Sequence, residues 1–279
     1  MARERIIVTL QGHEDDESLT RTASKLARVV DADLEGLFIE PDPSSYLLWT
    51  GPGAAAASVV STAVDAVRDE SDRCADAAKA SFQNGLEAGG LDAVRGRFVR
   101  VSGMASEVAS EARLARMMVT DADSAAGRGS LSDFVTAVLI DEQVPVYVAR
   151  GGFSPPETVT VAWDGSKEAA RAVYGAAPFL TQARKVIVLQ SEKGIDFEDR
   201  RMAPPDRLVD WLSGRGQHAI VRELDPDEDV VEGILDASKG ADLIVAGAYG
   251  HSRLREFVFG GVTKSLLNAV DGPCLFLAH

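Results

Sequence analysis

Short runs of aliphatic and β-branched residues alternate along the chain with longer segments in which apolar residues recur three and four positions apart. Such runs predict strands, and the three-and-four spacing predicts helices that bury one face. Strands that alternate with helices favour a mostly parallel sheet with helices on both faces, so the sequence predicts an α/β fold. The predicted strands span residues 5–10, 34–39, 97–101, 115–120 and 145–149, then 158–163, 185–190, 219–224, 242–246 and 274–278.

The order of elements repeats, because each half of the chain has five predicted strands and four helical connections. Residues 8–12 match residues 161–165 in the opening strand of each half, and Pro145 and Pro273 begin the two closing strands. Agreement in both the order of the elements and the prolines that begin the closing strands indicates an internal duplication.

The link between the halves is a run of glycine and proline at residues 151–156, which no helix or strand is expected to cross. We place the boundary near residue 153, with one domain at 1–153 and a second at 154–279. The predicted fold is therefore two tandem open five-stranded sheets, mostly parallel, flanked by helices and related by a pseudo-twofold axis.

Residues 41–66 have no counterpart in the second half. They lead into a polar helical stretch that reaches about Glu87. A lid or a partner-docking surface is one interpretation of this insertion. We favour the other, an extension of the helix that packs on its own domain.

Composition narrows the function classes. The chain has 279 residues, 43 acidic and 29 basic, and its formal net charge is -14, which disfavours nucleic acid and anionic membrane surfaces as partners. No window approaches the roughly 18 continuous apolar residues of a membrane span, and the N-terminus has no signal-peptide pattern. Cys74 and Cys274 lie in different halves without metal or redox spacing. These features predict a cytoplasmic protein.

A glycine-rich stretch after the fourth strand of the second half is the most informative motif. Gly247 and Gly250 follow that strand, where ligands of open parallel sheets bind. Without a Cβ, both glycines let a ribose or phosphate approach the backbone closely. Gly260 and Gly261 precede a helix that begins near Val262, so its unpaired N–H groups and its dipole favour an anion. The hydroxyl of Thr263 adds a further donor.

This stretch resembles the universal stress protein family, whose nucleotide-binding members carry G-x2-G-x9-G-[Ser/Thr]. Gly247, Gly250 and Gly260 fit that spacing, and Gly261 stands where Ser or Thr is usual. The resemblance implies an adenine-nucleotide α-hydrolase-like, Rossmann-like fold. It also implies an ATP site, with ADP or AMP as alternatives and Mg²⁺ as a candidate companion ion.

The resemblance also implies roles for individual residues. Asp164, at the end of the first strand of the second half, would meet the adenine base. The backbone near Ser191, after the next strand, would lie beside it. The ribose and phosphates would be lined by Gly250, Gly260, Gly261, Val262 and Thr263. The alternative for Asp164 is that, with Ser166, it only caps the following helix.

The first half departs further from the motif. Gln11 stands in place of Asp164, and Asp121 and Ser124 stand in place of Gly247 and Gly250. A carboxylate at Asp121 would oppose a polyphosphate. We therefore expect the first half to be a structural or regulatory partner that does not bind ATP.

The sequence supports no catalytic residue and no metal site. It lacks a P-loop and a dinucleotide fingerprint, and His13, His218, His251 and His279 are dispersed without ligand spacing. The leading hypothesis is a nucleotide-binding regulatory module of the stress response. The alternatives are a nucleotide-independent scaffold, slow ATP hydrolysis and, least favoured, an adenylating enzyme.

Single-domain members of the family usually dimerise through their last strands, and a tandem chain can satisfy that contact internally. We expect residues 146–149 to lie antiparallel to residues 274–278, as an internal pseudo-dimer. A further homodimer of the whole chain stays open.

Overall fold

The computed structural model describes residues 3–40, 54–151, 154–191, 202–248, 261–269 and 272–279, without the side chains of 54–63. In the first half the elements are β1 (Arg5–Leu10), α1 (Asp16–Val29), β2 (Asp33–Glu40), α2 (Ala54–Ala88), β3 (Gly96–Ser102), α3 (Ala105–Val108), β4 (Ala115–Asp121), α4 (Ala122–Ala125), α5 (Ser132–Ile140) and β5 (Val146–Ala149). Short 3₁₀ turns lie at Ala93–Arg95 and Ala109–Ala112.

The second half repeats the order. Its elements are β6 (Thr158–Ala162), α6 (Lys167–Gly175), α7 (Ala177–Gln182), β7 (Lys185–Gln190), α8 (Pro205–Ser213), β8 (Ala219–Glu223), α9 (Val230–Ala237), β9 (Leu243–Gly247), α10 (Gly261–Asn268) and β10 (Cys274–Ala278). All ten predicted strands are present, and their ends differ from the prediction by about one residue. The first helical connection is split in two because Pro178 lies in the first turn of α7 and cannot continue the hydrogen bonding of α6.

The ten strands form one sheet in the order β3-β2-β1-β4-β5-β10-β9-β6-β7-β8. The predicted five-stranded sheets are the two halves of this larger sheet, and each has the same strand order. They join where β5 and β10 pair antiparallel, with Phe276 opposite Tyr147 and Leu277 opposite Val146. The predicted pairing of these strands is therefore confirmed. All other neighbouring strands are parallel.

Helices cover both faces of the sheet, and each face buries an apolar cluster that includes residues of both halves. Ile6, Ile7 and Val8 are successive residues of β1 with no exposed surface. A strand buried on both faces shows a continuous apolar run instead of an alternating one, and this is why the strands could be located in the sequence.

The insertion of the first half extends helix α2. Residues 41–53 lie outside the described residues. Towards its C-terminal end α2 packs on its own half through Ala75, Ala78, Phe82 and Leu86, all buried. These packed residues lie beyond the insertion at residues 41–66, so the packing of the insertion on its own domain stays a prediction. Residues 65–70 are mostly exposed.

In the part of the chain that the structure describes, no helix is both long enough and apolar enough to cross a membrane.

Candidate functional site

The carboxyl ends of β6 and β9 define the candidate site. These strands are parallel neighbours, with Val161 opposite Val245 and Ala162 opposite Ala246. The chain leaves β6 towards β7 on one side and leaves β9 towards β10 on the other. Connections that diverge in this way leave a crevice at the strand ends, where open α/β sheets bind ligands. Gly247 ends β9, and Asp164 lies two residues beyond β6.

Asp164 is half-buried and takes part in the turn that opens α6. Its Oδ1 accepts a hydrogen bond from the backbone N–H of Ser166 at 2.9 Å. Ser166 caps the helix, because its Oγ accepts from the N–H of Ala169 at 3.1 Å. The capping role considered as the alternative is thus present. Among the described residues, Oδ2 of Asp164 makes no hydrogen bond.

Ser191 follows β7 at the same edge of the sheet. Ala162 lies opposite Leu189, and the N–H of Trp163 donates to the carbonyl of Leu189 at 2.9 Å. Asp164 and Ser191 are therefore each two residues beyond a paired position on adjacent parallel strands. Ser191 is only 7% exposed.

A segment that the sequence did not single out covers the turn after β6. The indole Nε1–H of Trp163 donates to the carbonyl of Ala203 at 2.9 Å, and the N–H of Ala203 donates to the carbonyl of Gly165 at 2.9 Å. Gly165 has φ +75°, and a Cβ there would lie 2.6 Å from the carbonyl oxygen of Ala203. The glycine at 165 is the one signal in the sequence for this contact, and it does not identify the partner.

Gly247 has a packing role. A Cβ at this position would lie 2.5 Å from the backbone nitrogen of Ala169 and 2.8 Å from the carbonyl carbon of Glu168, both in the first turn of α6. The sequence predicted that a ribose or phosphate approaches the backbone here. Among the described residues, the group that makes this close approach is the first turn of α6.

Helix α10 begins at Gly261. No described atom lies within 4 Å of the position that a Cβ would take at Gly261. Val262 is 37% exposed and Thr263 is 5% exposed. The first N–H groups of a helix have no partner within it and carry the positive end of its dipole, so this turn can hold an anion. Gly250 and Gly260 lie outside the described residues.

The equivalent edge of the first half is bridged by its own side chains. Gln11, in place of Asp164, donates from Nε2 to Oδ2 of Asp121 at 3.4 Å and accepts at Oε1 from the hydroxyl of Ser130 at 2.8 Å. Oδ1 of Asp121 accepts from the N–H of Ser124 at 2.7 Å. These contacts connect the ends of β1 and β4 directly.

A buried carboxylate accepts hydrogen bonds from the backbone N–H groups of the turn after β1. Oδ2 of Asp16 accepts from the N–H of Gly12 at 2.7 Å and from that of Gln11 at 3.1 Å. Burial raises the pKa of Asp16, although the hydrogen bonds from Gly12 and Gln11 act in the opposite direction. The backbone N–H groups of Gln11 and Gly12 are therefore already paired within the first half.

Within the described ranges, no three His, Cys, Asp or Glu side chains converge as a metal site would require.

Comparison with known proteins agrees with this architecture. Residues 156–277 match the model of the universal stress protein family. A search of curated proteins finds no match.

Solved structures match over nearly the whole chain. A universal stress protein from Archaeoglobus fulgidus DSM 4304 is 16% identical, aligns over 99% of this chain and 96% of its own, and has a TM-score of 0.71. A protein of Pseudomonas aeruginosa PAO1, described as functionally unknown, is 13% identical over 99% of this chain and 92% of its own, with a TM-score of 0.56. At these identities the likeness shows the fold alone. The second half of the chain, at residues 156–277, therefore belongs to the universal stress protein family, and the first half repeats its fold.

Proposed function

We propose that the second half binds an adenine nucleotide, ATP first and ADP or AMP as alternatives, and that the chain is a regulatory module of the stress response. The observation that carries this proposal is the position of Asp164 and Gly247 at the diverging ends of adjacent strands β6 and β9. Helix α10, the next element after β9, begins at Gly261 with open space beside it among the described residues.

Each candidate residue has a distinct role in this proposal. Oδ2 of Asp164 would accept a hydrogen bond from the base, and the backbone at Ser191 would lie beside it. The N–H groups at Gly261, Val262 and Thr263 would hold phosphate oxygens through the helix N-terminus. Gly247, Gly250 and Gly260 complete the glycine motif and would let the nucleotide approach the backbone closely. A bound nucleotide supplies the polyphosphate anion, and the chain contributes donors and shape.

Binding would act on the protein through mass action. A ligand that binds only the folded state raises the free energy of unfolding by RT ln(1 + [L]/Kd), about 2.7 kcal/mol at a hundredfold excess over Kd. Nucleotide level can therefore change the stability of the protein without any catalysis.

Titration calorimetry with ATP, ADP and AMP tests the proposal, with Asp164→Asn as the sharpest variant. Asn keeps an oxygen to accept from the N–H of Ser166, so the turn is retained while the carboxylate is lost. We expect the Asp164→Asn protein to bind ATP about tenfold more weakly, which corresponds to about 1.4 kcal/mol, with its Tm within a few degrees of the parent.

Asp164→Ala is the comparison variant. It loses both the carboxylate and the hydrogen bond that holds the turn, so it should lower the Tm as well as the affinity. Absence of both heat and thermal shift in the parent protein at millimolar ATP would refute nucleotide binding.

One specific observation favours a second candidate, a nucleotide-independent scaffold. Asp164 has a capping contact and Gly247 has a packing contact, so both residues have structural reasons that need no ligand. Failure of the calorimetric test would favour this candidate. Release of inorganic phosphate above a heat-inactivated control would instead indicate slow ATP hydrolysis.

We also propose that the first half, at residues 1–153, binds no nucleotide and forms an internal pseudo-dimer with residues 154–279. The bridge of Gln11, Asp121 and Ser130 and the pairing of β5 with β10 support this division. We propose a cytoplasmic location on the family match at residues 156–277. The exclusion of nucleic acid as a partner rests on the net charge of -14. The mass of the protein in solution would decide whether whole chains dimerise further.

A further inference from the structure

An arginine of the first half holds the C-terminal end of helix α10. Arg150 follows β5, and its Nη2 donates to the carbonyls of Leu266 at 2.6 Å and Leu267 at 3.0 Å. Its Nη1 donates to the carbonyl of Pro273 at 3.1 Å. The first two carbonyls belong to the last turn of α10, and the third precedes β10. One guanidinium thus connects the last helix and the last strand of the second half to the first half.

The charge of Arg150 is balanced by the helix end. Among the described residues, no carboxylate forms an ion pair with this half-buried guanidinium. Burial lowers the pKa of Arg150. The last carbonyls of a helix lack partners within it and carry the negative end of its dipole. The cation and the end of α10 therefore stabilise each other.

Two neighbouring residues fit this contact. A Cβ at Gly272 would lie 2.8 Å from Nη1 of Arg150, so the glycine makes room for the guanidinium. Nη1 of Arg128 donates to Oδ1 of Asn268, the last residue of α10, at 2.9 Å. Arg128 also binds Asp123 of α4 through Nε at 2.8 Å. A second arginine of the first half therefore contacts the same helix end.

The contact between Arg150 and the end of α10 has no equivalent in the opposite direction. When the halves are aligned on Pro145 and Pro273, Arg150 corresponds to Ala278 and Gly272 corresponds to Val144. The second half thus has no arginine at the position that would hold the last helix of the first half. The contact is directed at α10, the helix whose other end carries the proposed phosphate site.

We infer that Arg150 is a positioning residue through which the first half sets the placement of α10 and thereby the affinity of the second half for nucleotide. The placement of α10 stands on the hydrogen bonds above. The effect on affinity rests on the proposed function.

Amide hydrogen exchange of the ligand-free full chain tests the placement, in Arg150→Met and Arg150→Lys proteins. We expect exchange at residues 265–268 to rise about tenfold in Arg150→Met, with β1 and β6 unchanged. Lys restores the charge but carries its donors on one nitrogen, so it cannot replace both Nη1 and Nη2 and should rescue protection only in part.

The matched control is Arg171→Met. Arg171 donates to the carbonyl of His279 at 2.8 Å within the second half, and its loss should leave exchange in α10 at the parent value. Exchange in α10 equal to the parent in Arg150→Met, or raised equally across the whole sheet, would overturn the inference.

Calorimetry with ATP tests the effect on affinity. We expect Arg150→Met to bind ATP about tenfold more weakly, and Arg171→Met to bind it as the parent does. A looser α10 with unchanged ATP affinity would overturn the coupling between the halves. If the parent itself binds no ATP, the proposed function fails and the coupling fails with it, while hydrogen exchange still decides the placement of α10.

Discussion

Gly261 is the residue at which the glycine motif departs from the family pattern. The described residues leave room for a side chain there, since none of their atoms lies within 4 Å of its Cβ position. Serine at this position would add a hydroxyl in the first turn of α10. A single hydrogen bond contributes about 1 kcal/mol, or roughly fivefold in affinity.

We therefore predict that Gly261→Ser binds ATP about fivefold more tightly than the parent in calorimetry. Gly261→Ala is the control, because it makes the same change to the backbone without the hydroxyl, and it should bind as the parent does. Equal affinity for the Ser and Ala variants would show that the hydroxyl contributes nothing.

Asp16 predicts a dependence of stability on pH. Burial raises its pKa in the folded protein, so the folded state binds this proton more tightly than the unfolded chain does. Its contribution to the free energy of unfolding is then full below the unfolded pKa, about 3.9, and is lost as pH rises through the folded pKa. Asp16→Asn has no such titration.

Urea unfolding of the parent and Asp16→Asn proteins from pH 3.5 to 7 measures this effect. The free energy of unfolding of the parent, relative to Asp16→Asn, should fall as pH rises through that window. A difference that grows with pH would mean that the hydrogen bonds from Gln11 and Gly12 outweigh burial.

At the scale of elements, the crossing of α1 and α2 depends on two glycines whose role the sequence did not reveal. A Cβ at Gly85 would lie 2.5 Å from Cβ of Thr20, and a Cβ at Gly89 would lie 2.3 Å from Cβ of Ser24. Ser24 also donates to the carbonyl of Gly85 at 3.4 Å. Gly85 of α2 and Gly89, one residue beyond the end of α2, are four positions apart, as are Thr20 and Ser24 of α1. These small residues let the two backbones approach closely.

Gly85→Ala should therefore lower the free energy of unfolding by up to about 2 kcal/mol. Alanine is favoured over glycine in a helix by about 1 kcal/mol, but the steric cost of overpacking is larger, about 1–3 kcal/mol. Chemical denaturation measures the difference, with the exposed position Gln83→Ala as a control expected to be near neutral. A more stable Gly85→Ala protein would show that the helices can move apart at little cost.

At the scale of the whole molecule, aromatic rings connect the two halves across β5 and β10. The ring of Phe179 lies 6.1 Å from that of Phe276 and 6.3 Å from that of Tyr147, measured between centroids. Phe276 is fully buried, and both apolar clusters include residues of both halves. The halves should therefore unfold together.

Phe276→Ala should cost about 3–5 kcal/mol, since it opens a cavity at this junction. Hydrogen exchange should show β1 and β6 losing protection by the same factor. If β6 alone loses protection, the halves unfold independently and the shared sheet does not make them cooperative.

Much of the architecture could be predicted because its cause is local. Buried parallel strands appear as apolar runs, so all ten strands and the duplication were visible in the sequence. The spacing of Gly247, Gly250 and Gly260 pointed to the family, and the match at residues 156–277 confirmed it. Which of these residues contact a ligand is still a prediction.

The sequence alone determined the elements, their order and the half in which the glycine motif survives, since each depends on residues close together in the chain. Only the tertiary structure decided what those residues touch. It brought α6 against Gly247, Ser130 against Gln11 and Arg150 against the end of α10. These partners are about 80 to 120 positions apart in the chain, and no local preference specifies a pairing at that distance. They meet because the strands between them pack side by side in one sheet.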